Sequence, residues 1–233
     1  MSDTILNVPR RHFLAGLAAA GAGVIAAPAA ALGAKLDDAR FRAPADDKWL
    51  DSLTGKHKQV FDMPNPSAGL GLIHIRNYLK AWKDTHNLEH PHVNAVSTLY
   101  YMTIPLGLTD PMWAKYKLGE AIEETDEKTG TFATRNIFWK ADPGETTMSI
   151  KARMDWPADA AMEPLQKKGT LFLMCNNALN LWAMNVASAT NQTMEAVRTE
   201  FLAHIVPGIV IVPAMVMAVD QAQAKGCSYM RMG

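Results

Sequence analysis

From residue 56 onward, short apolar segments alternate with segments of helical periodicity, and this alternation constrains the fold more than any other feature of the chain. The apolar segments are continuous rather than alternating, which is typical of strands buried on both faces of a sheet. Strands are predicted at residues 58–63, 93–102, 169–175, 208–212 and 228–232, with helices between them. We therefore predict an α/β fold of three layers, α/β/α, with a mostly parallel sheet of about five strands.

The chain begins with a segment typical of an export leader. Arg10 and Arg11 precede the apolar run 13–32, and five of the six residues at positions 29–34 are Ala or Gly. The sequence from Pro9 to Leu14 is similar to the twin-arginine motif, which implies recognition by the twin-arginine translocase, export in the folded state and a periplasmic location. Two alternatives are an ordinary secretory leader and an uncleaved anchor, since about 19 apolar residues just span a bilayer. The Ala and Gly content favours cleavage near residues 29–34, which would leave the protein without a membrane anchor.

The chain is expected to divide into a leader at residues 1–34, a polar linker at 35–55 and one domain at 56–233. Within that domain, residues 120–160 form the least regular stretch. Long loops of this kind often serve as lids or partner-binding arms, and the alternative is an extended excursion over the surface.

Charge excludes one broad class of partner. The chain carries 23 Lys and Arg against 23 Asp and Glu, so its net charge is 0. A protein without a basic excess has no bulk attraction for nucleic acid or for anionic lipid. We therefore expect neither as a partner.

The two cysteines fall at opposite ends of predicted strands. Cys175 ends the strand 169–175, and Asn176 or Asn177 is expected to cap the helix that begins there. Cys227 precedes the last strand. In a parallel sheet the two sulfurs would lie about a strand length apart, on the order of 15 Å, so no disulfide within the chain is expected. A helix N-terminus would favour the thiolate of Cys175. The alternative is a buried, inert thiol.

Three segments carry a family resemblance: residues 169–179, which contain Cys175, residues 206–213 (VPGIVIVP) and residues 221–229 (QAQAKGCSY). Their order resembles that of the DsrE-like sulfur-relay family, closely over residues 165–233 and loosely over 56–118. The resemblance implies a domain that assembles into homo-oligomers, trimers or hexamers, and carries sulfur as a persulfide on the cysteine that Cys175 matches. It assigns no role to Cys227.

Histidines provide the other candidate site residues. His74 lies in the predicted helix 69–83 and is a candidate base or charge partner for Cys175. His86, His90 and His92 fall within seven residues and are candidates for a copper or zinc site, and the alternative is a solvated loop. No cofactor is expected.

Two functional hypotheses follow. In the first, an exported sulfur carrier with sulfurtransferase-like chemistry uses Cys175 as persulfide acceptor and exchanges sulfur with a donor or acceptor protein. In the second, the same oligomeric scaffold is a non-enzymatic module that binds a small ligand, a metal or a partner protein. A buried, unreactive Cys175 would favour the second.

Overall fold

The computed structural model describes residue 43 and residues 46–140 and 157–232, so the expected leader and residues 141–156 of the expected arm lie outside the described residues. The strands are β1 (His57–Asp62), β2 (Val93–Leu99), β3 (Thr125–Asp126), β4 (Thr131–Phe132), β5 (Leu171–Cys175), β6 (Ile209–Val212) and β7 (Ser228–Arg231). Five of them form a central sheet in the order β6-β5-β2-β1-β7, and every neighbouring pair in it is parallel. The other two, β3 and β4, form a small antiparallel hairpin.

Helices follow the strands as the periodicity predicts. They are α1 (Leu70–His86), α2 (Asp110–Tyr116), α3 (Leu118–Ala121), α4 (Met162–Lys167), α5 (Asn176–Thr190), α6 (Met194–Ala203) and α7 (Met215–Ala224). The predicted three-layer α/β fold with a parallel five-stranded sheet is confirmed. Within the described part of the chain, no helix has the length and apolar character needed to cross a bilayer.

One face of the sheet is built around Val60. Val60 pairs in register with Val96, and Cys175 pairs with Val212. All four belong to one buried cluster, which α7 covers through Met215, Ala218 and Ala222. The short 3₁₀ helix Lys48–Ser52 extends this cover, because Trp49 and the following Leu53 are buried in the same cluster. The end of the expected linker is thus part of the core.

The opposite face of the sheet carries Phe61, because successive side chains of a strand point to opposite sides. Helix α1 covers this face, and the ring of its Tyr78 lies 5.5 Å from that of Phe61. Leu72 and Ile75 of the same helix are fully buried. The helix ends at His86, and the next residue, Asn87, adopts a left-handed conformation and donates its N–H to the carbonyl of Lys83 at 3.0 Å.

The described part of the expected arm is docked on the domain rather than extended from it. Helix α3 and the β3–β4 hairpin lead to Asn136, whose side-chain amide donates to the carbonyls of Leu106 and Leu108 at 2.7 and 2.8 Å. The next aromatic residue, Phe138, is fully buried with its ring 6.1 Å from that of Trp113. Regular structure also returns earlier than the sequence predicts, at α4.

Candidate functional site

A cavity of about 630 Å³ opens at the carboxyl edge of the sheet. Asp62 and Cys175 are the last residues of β1 and β5, and Tyr100 and Ala214 follow β2 and β6. The fifth strand, β7, contributes Tyr229 from within the strand. Its lining comprises Asp62, Tyr100, Cys175, Asn177, Ala214, Met215, Val216, Val219, Gln223 and Tyr229. Ligands of open parallel sheets bind at this edge, and the volume suits a small organic molecule.

Cys175 lies in the wall of this cavity at the junction of β5 and α5. Its side chain is 6% exposed, and its Sγ accepts a hydrogen bond from the backbone N–H of Met215 at 3.4 Å. The strand–helix junction follows from the sequence, since the apolar strand ends at Cys175 and a segment with apolar residues at helical spacing follows. The thiol thus has apolar neighbours on the core side and the cavity on the other.

Asp62 supplies a carboxylate to the same cavity. The side chain is buried, and three hydroxyl groups donate to it: Thr98 to Oδ1 at 3.1 Å, and Tyr100 and Tyr229 to Oδ2 at 3.3 and 2.5 Å. The arrangement suits an ionised carboxylate, which can only accept hydrogen bonds. Through these hydrogen bonds, Asp62 of β1 contacts both neighbouring strands, β2 and β7.

The two tyrosines are held in the protonated form. Burial and the negative charge of Asp62 raise the pKa of Tyr100 far above its usual value. The hydrogen bond to Asp62 and burial raise the pKa of Tyr229. Both phenols therefore remain neutral donors across the physiological pH range.

The start of α5 differs in detail from the sequence prediction. Cys175 itself is the N-cap residue, and neither asparagine caps the helix with its side chain. Asn176 is buried and accepts a hydrogen bond from Arg198 of α6 at 3.0 Å. Asn177 is exposed and lines the cavity. The expected asparagine cap is wrong because tertiary contact with α6 engages the Asn176 side chain.

Cys227 lies before β7 and is not among the residues that line the cavity. Both cysteines are free thiols, which confirms that they do not form a disulfide with each other. Burial raises the pKa of Cys227, and the positive charge of Lys58 only partly opposes this rise.

His74 does not line the cavity that holds Cys175. It belongs to α1, which packs on the Phe61 face of the sheet, whereas Cys175 belongs to the cluster on the Val60 face. The structure therefore separates this pair of predicted site residues. The separation arises because β1 and α1 place the histidine on one side of the sheet and the β5–α5 junction directs the thiol to the other.

The three clustered histidines each contact different parts of the fold. The His86 ring lies 5.0 Å from Trp82, the His90 ring packs against Gly169, and the His92 carbonyl accepts the N–H of His57 at 3.3 Å. Across residues 46–140 and 157–232, no group of three His, Cys, Asp or Glu side chains is arranged to hold a metal ion. The cluster in sequence is thus not a ligand cluster in space.

Sequence reasoning missed Asp62, Tyr100 and Tyr229. The first two stand at or next to the carboxyl ends of strands that were predicted. The rule that drew attention to Cys175, that ligands gather at this edge, applies equally to them. Tyr229 had no such signal, because only the placement of β7 beside β1 brings it to Asp62.

Comparison with known proteins adds little to this geometry. No protein-family model matches the chain, and no curated protein matches it. Among solved structures, it is similar to a protein of unknown function, MTH1491, from Methanobacterium thermoautotrophicum. The two share 16% identity with a TM-score of 0.35, over 76% of this chain and 100% of the other.

Proposed function

We propose that this protein is a thiol-based sulfur carrier in which Cys175 accepts sulfane sulfur as a persulfide. The observation that carries the proposal is the position of Cys175 in the wall of a cavity at the carboxyl edge of the sheet. In the transfer, the Cys175 thiolate attacks the sulfane sulfur of a donor and the donor's S–S bond breaks. The electron pair leaves with the remaining donor thiolate.

Two contacts support this chemistry. The N–H of Met215 donates to Sγ, and α5 begins at the residue after the cysteine. A backbone donor and a helix N-terminus both stabilise negative charge on sulfur. They would serve the thiolate before transfer and the persulfide anion after it, without a metal or other cofactor.

The proposal includes a cellular setting. The segment around Arg10 and Arg11 supports export by the twin-arginine translocase and a periplasmic location after cleavage. As in the DsrE-like family that the sequence resembles, we propose assembly into a homo-oligomer, a trimer or hexamer, which exchanges sulfur with a donor or acceptor protein.

Transfer is tested by incubating the full chain with inorganic polysulfide and measuring its intact mass. We expect one added sulfur atom, located by peptide mapping at Cys175. The Cys227→Ser variant should still gain the sulfur, and the Cys175→Ser variant should not. Equal labelling of the wild type and Cys175→Ser would refute the assignment.

A second candidate function rests on the low exposure of the same thiol. With 6% of its surface exposed and apolar neighbours on one side, Cys175 also fits the wall of a non-enzymatic site for a small ligand or a partner protein. Iodoacetamide separates the two functions. A sulfur carrier requires alkylation of Cys175 in the native protein, whereas a thiol protected until the protein is unfolded supports the binding module.

A further inference from the structure

The charge of the cavity at Cys175 has one source. Among the described residues that line it, Asp62 is the one charged side chain. The other polar groups are the amides of Asn177 and Gln223, the two tyrosines and the thiol. An anionic ligand would meet a carboxylate here with no lining cation to offset it.

The carboxylate is fixed in place and is not neutralised by its hydrogen-bond partners. Thr98, Tyr100 and Tyr229 are uncharged, and together they donate hydrogen bonds to both carboxylate oxygens of Asp62. Because the side chain is buried beside a partly enclosed space, its field reaches into the cavity with less screening than a surface charge would have.

Arg231 lies beside Asp62 but is not among the residues that line the cavity. Arg231 of β7 is the register partner of Asp62 and is exposed. Register partners on adjacent strands point to the same face of the sheet, so the positive charge of Arg231 lies on the side of the carboxylate, in line with its lowering effect on the pKa of Tyr100 and Tyr229. Arg231 therefore weakens the negative field of Asp62, and its removal should strengthen that field.

The remaining wall is apolar. Ala214, Met215, Val216 and Val219 form one side, where β6 passes into α7. A ligand that fills the cavity would need a hydrocarbon part for this wall and a group that is attracted by a carboxylate.

We propose that the cavity selects small organic cations, with the ammonium group near Asp62 and the apolar part against the start of α7. This selectivity, which rests on the proposed function, identifies the sulfur donor as the persulfide of a small aminothiol. Cys175 takes its sulfane sulfur, the donor's S–S bond breaks, and the aminothiol leaves with the electron pair and the proton of Cys175.

The test uses methanethiosulfonates, which react with a thiolate by losing methanesulfinate. The full chain with Cys227→Ser is treated with the cationic trimethylammonioethyl reagent and the anionic sulfonatoethyl reagent, and both rates are divided by those on free cysteine. We expect Cys175 to prefer the cation on the order of tenfold. Asp62→Asn should abolish the preference, and Arg231→Gln should increase it. Equal normalised rates, or a preference that survives Asp62→Asn, would overturn the proposal.

A second measurement does not depend on the thiol. Saturation-transfer NMR would compare the binding of choline to the full chain with that of the neutral analogue in which carbon replaces the nitrogen. We expect choline to bind more strongly. Asp62→Asn should remove this difference, and Arg231→Gln should increase it. If neither reagent modifies Cys175 but choline binds in this way, sulfur transfer fails and cation selection stands. If both reagents react equally and choline does not bind, cation selection fails and the reactive thiol stands.

Discussion

Asn136 provides the sharpest test of the finding that residues 118–140 are part of the folded domain. Its side chain is buried and makes three hydrogen bonds: two donated to the carbonyls of Leu106 and Leu108, and one accepted from the N–H of Phe138 at 3.0 Å. Asn136→Ala removes all three. At about 1 kcal/mol for each, the loss is about 3 kcal/mol of unfolding free energy.

Urea unfolding followed by circular dichroism would measure this change. A loss of about 3 kcal/mol lowers the ratio of folded to unfolded protein by roughly two orders of magnitude and the melting temperature by about 6 to 12 °C. The matched control is Asn77→Ala, at an exposed position of α1 whose side chain accepts one long hydrogen bond at 3.4 Å. It should change stability by less than about 0.5 kcal/mol, because alanine also favours a helix.

The reasoning would be refuted if Asn136→Ala and Asn77→Ala had equal effects. That result would mean that the segment makes no net contribution to stability through these contacts. A large loss for Asn136→Ala alone would establish that this part of the predicted arm serves the fold, and would restrict any partner-binding role to the rest of residues 120–160.

Three other outcomes are expected. Burial opposes ionisation of Asp126, but hydrogen bonds from Arg135 at 2.6 and 3.1 Å outweigh it, so its pKa lies below the usual 3.8. The stabilisation that Asp126 provides is present above about pH 4 and is lost as the pH falls through its folded-state pKa. In urea titrations, the free energy of unfolding should therefore fall less on acidification for Asp126→Asn than for the wild type. Cys227 should react with iodoacetamide at a half-maximal pH above that of free cysteine, because burial raises its pKa. Replacing Arg10 and Arg11 together by lysine should stop export of a folded reporter fused to the leader, measured by cell fractionation.

Each of these has a control and a contradicting result. The exposed Glu120→Gln, measured in the same way, is the control for loss of one carboxylate. An Asp126→Asn protein whose stability depends on pH as that of the wild type does would contradict the ion-pair argument. Cys227 is measured in a Cys175→Ser background, where a half-maximal pH equal to that of free cysteine would exclude the effect of burial. Lysine substitution of Arg40 and Arg42 should leave export intact, and export that survives the change at the twin arginines would exclude this route.

The parallel sheet was predictable because its signals are local. Continuous apolar segments separated by helical patterns require crossover connections, and the strands of such units run in the same direction. The same logic placed Cys175 at a carboxyl end and Cys227 at an amino end, and it correctly excluded a disulfide between them.

Other expectations failed where a side chain had a competing partner. Asn176 has the residue type of a helix cap, but Arg198 engages it. Residues 120–140 lack periodicity, but Asn136 anchors them through contacts 28 and 30 residues away in sequence. Local pattern cannot reveal such contacts, since composition and spacing are the same whether or not a distant partner is present.

The sequence by itself determined the class of fold, the direction of its strands and the position of one thiol at the edge where ligands bind. Only the tertiary structure decided what surrounds that thiol. Strand order brings Tyr229 to Asp62 across 167 residues, and the alternation of side chains along β1 places Asp62 in the cavity while α1 carries His74 to the other face. Strand order depends on how distant segments pack together, and the pattern within each segment does not record it.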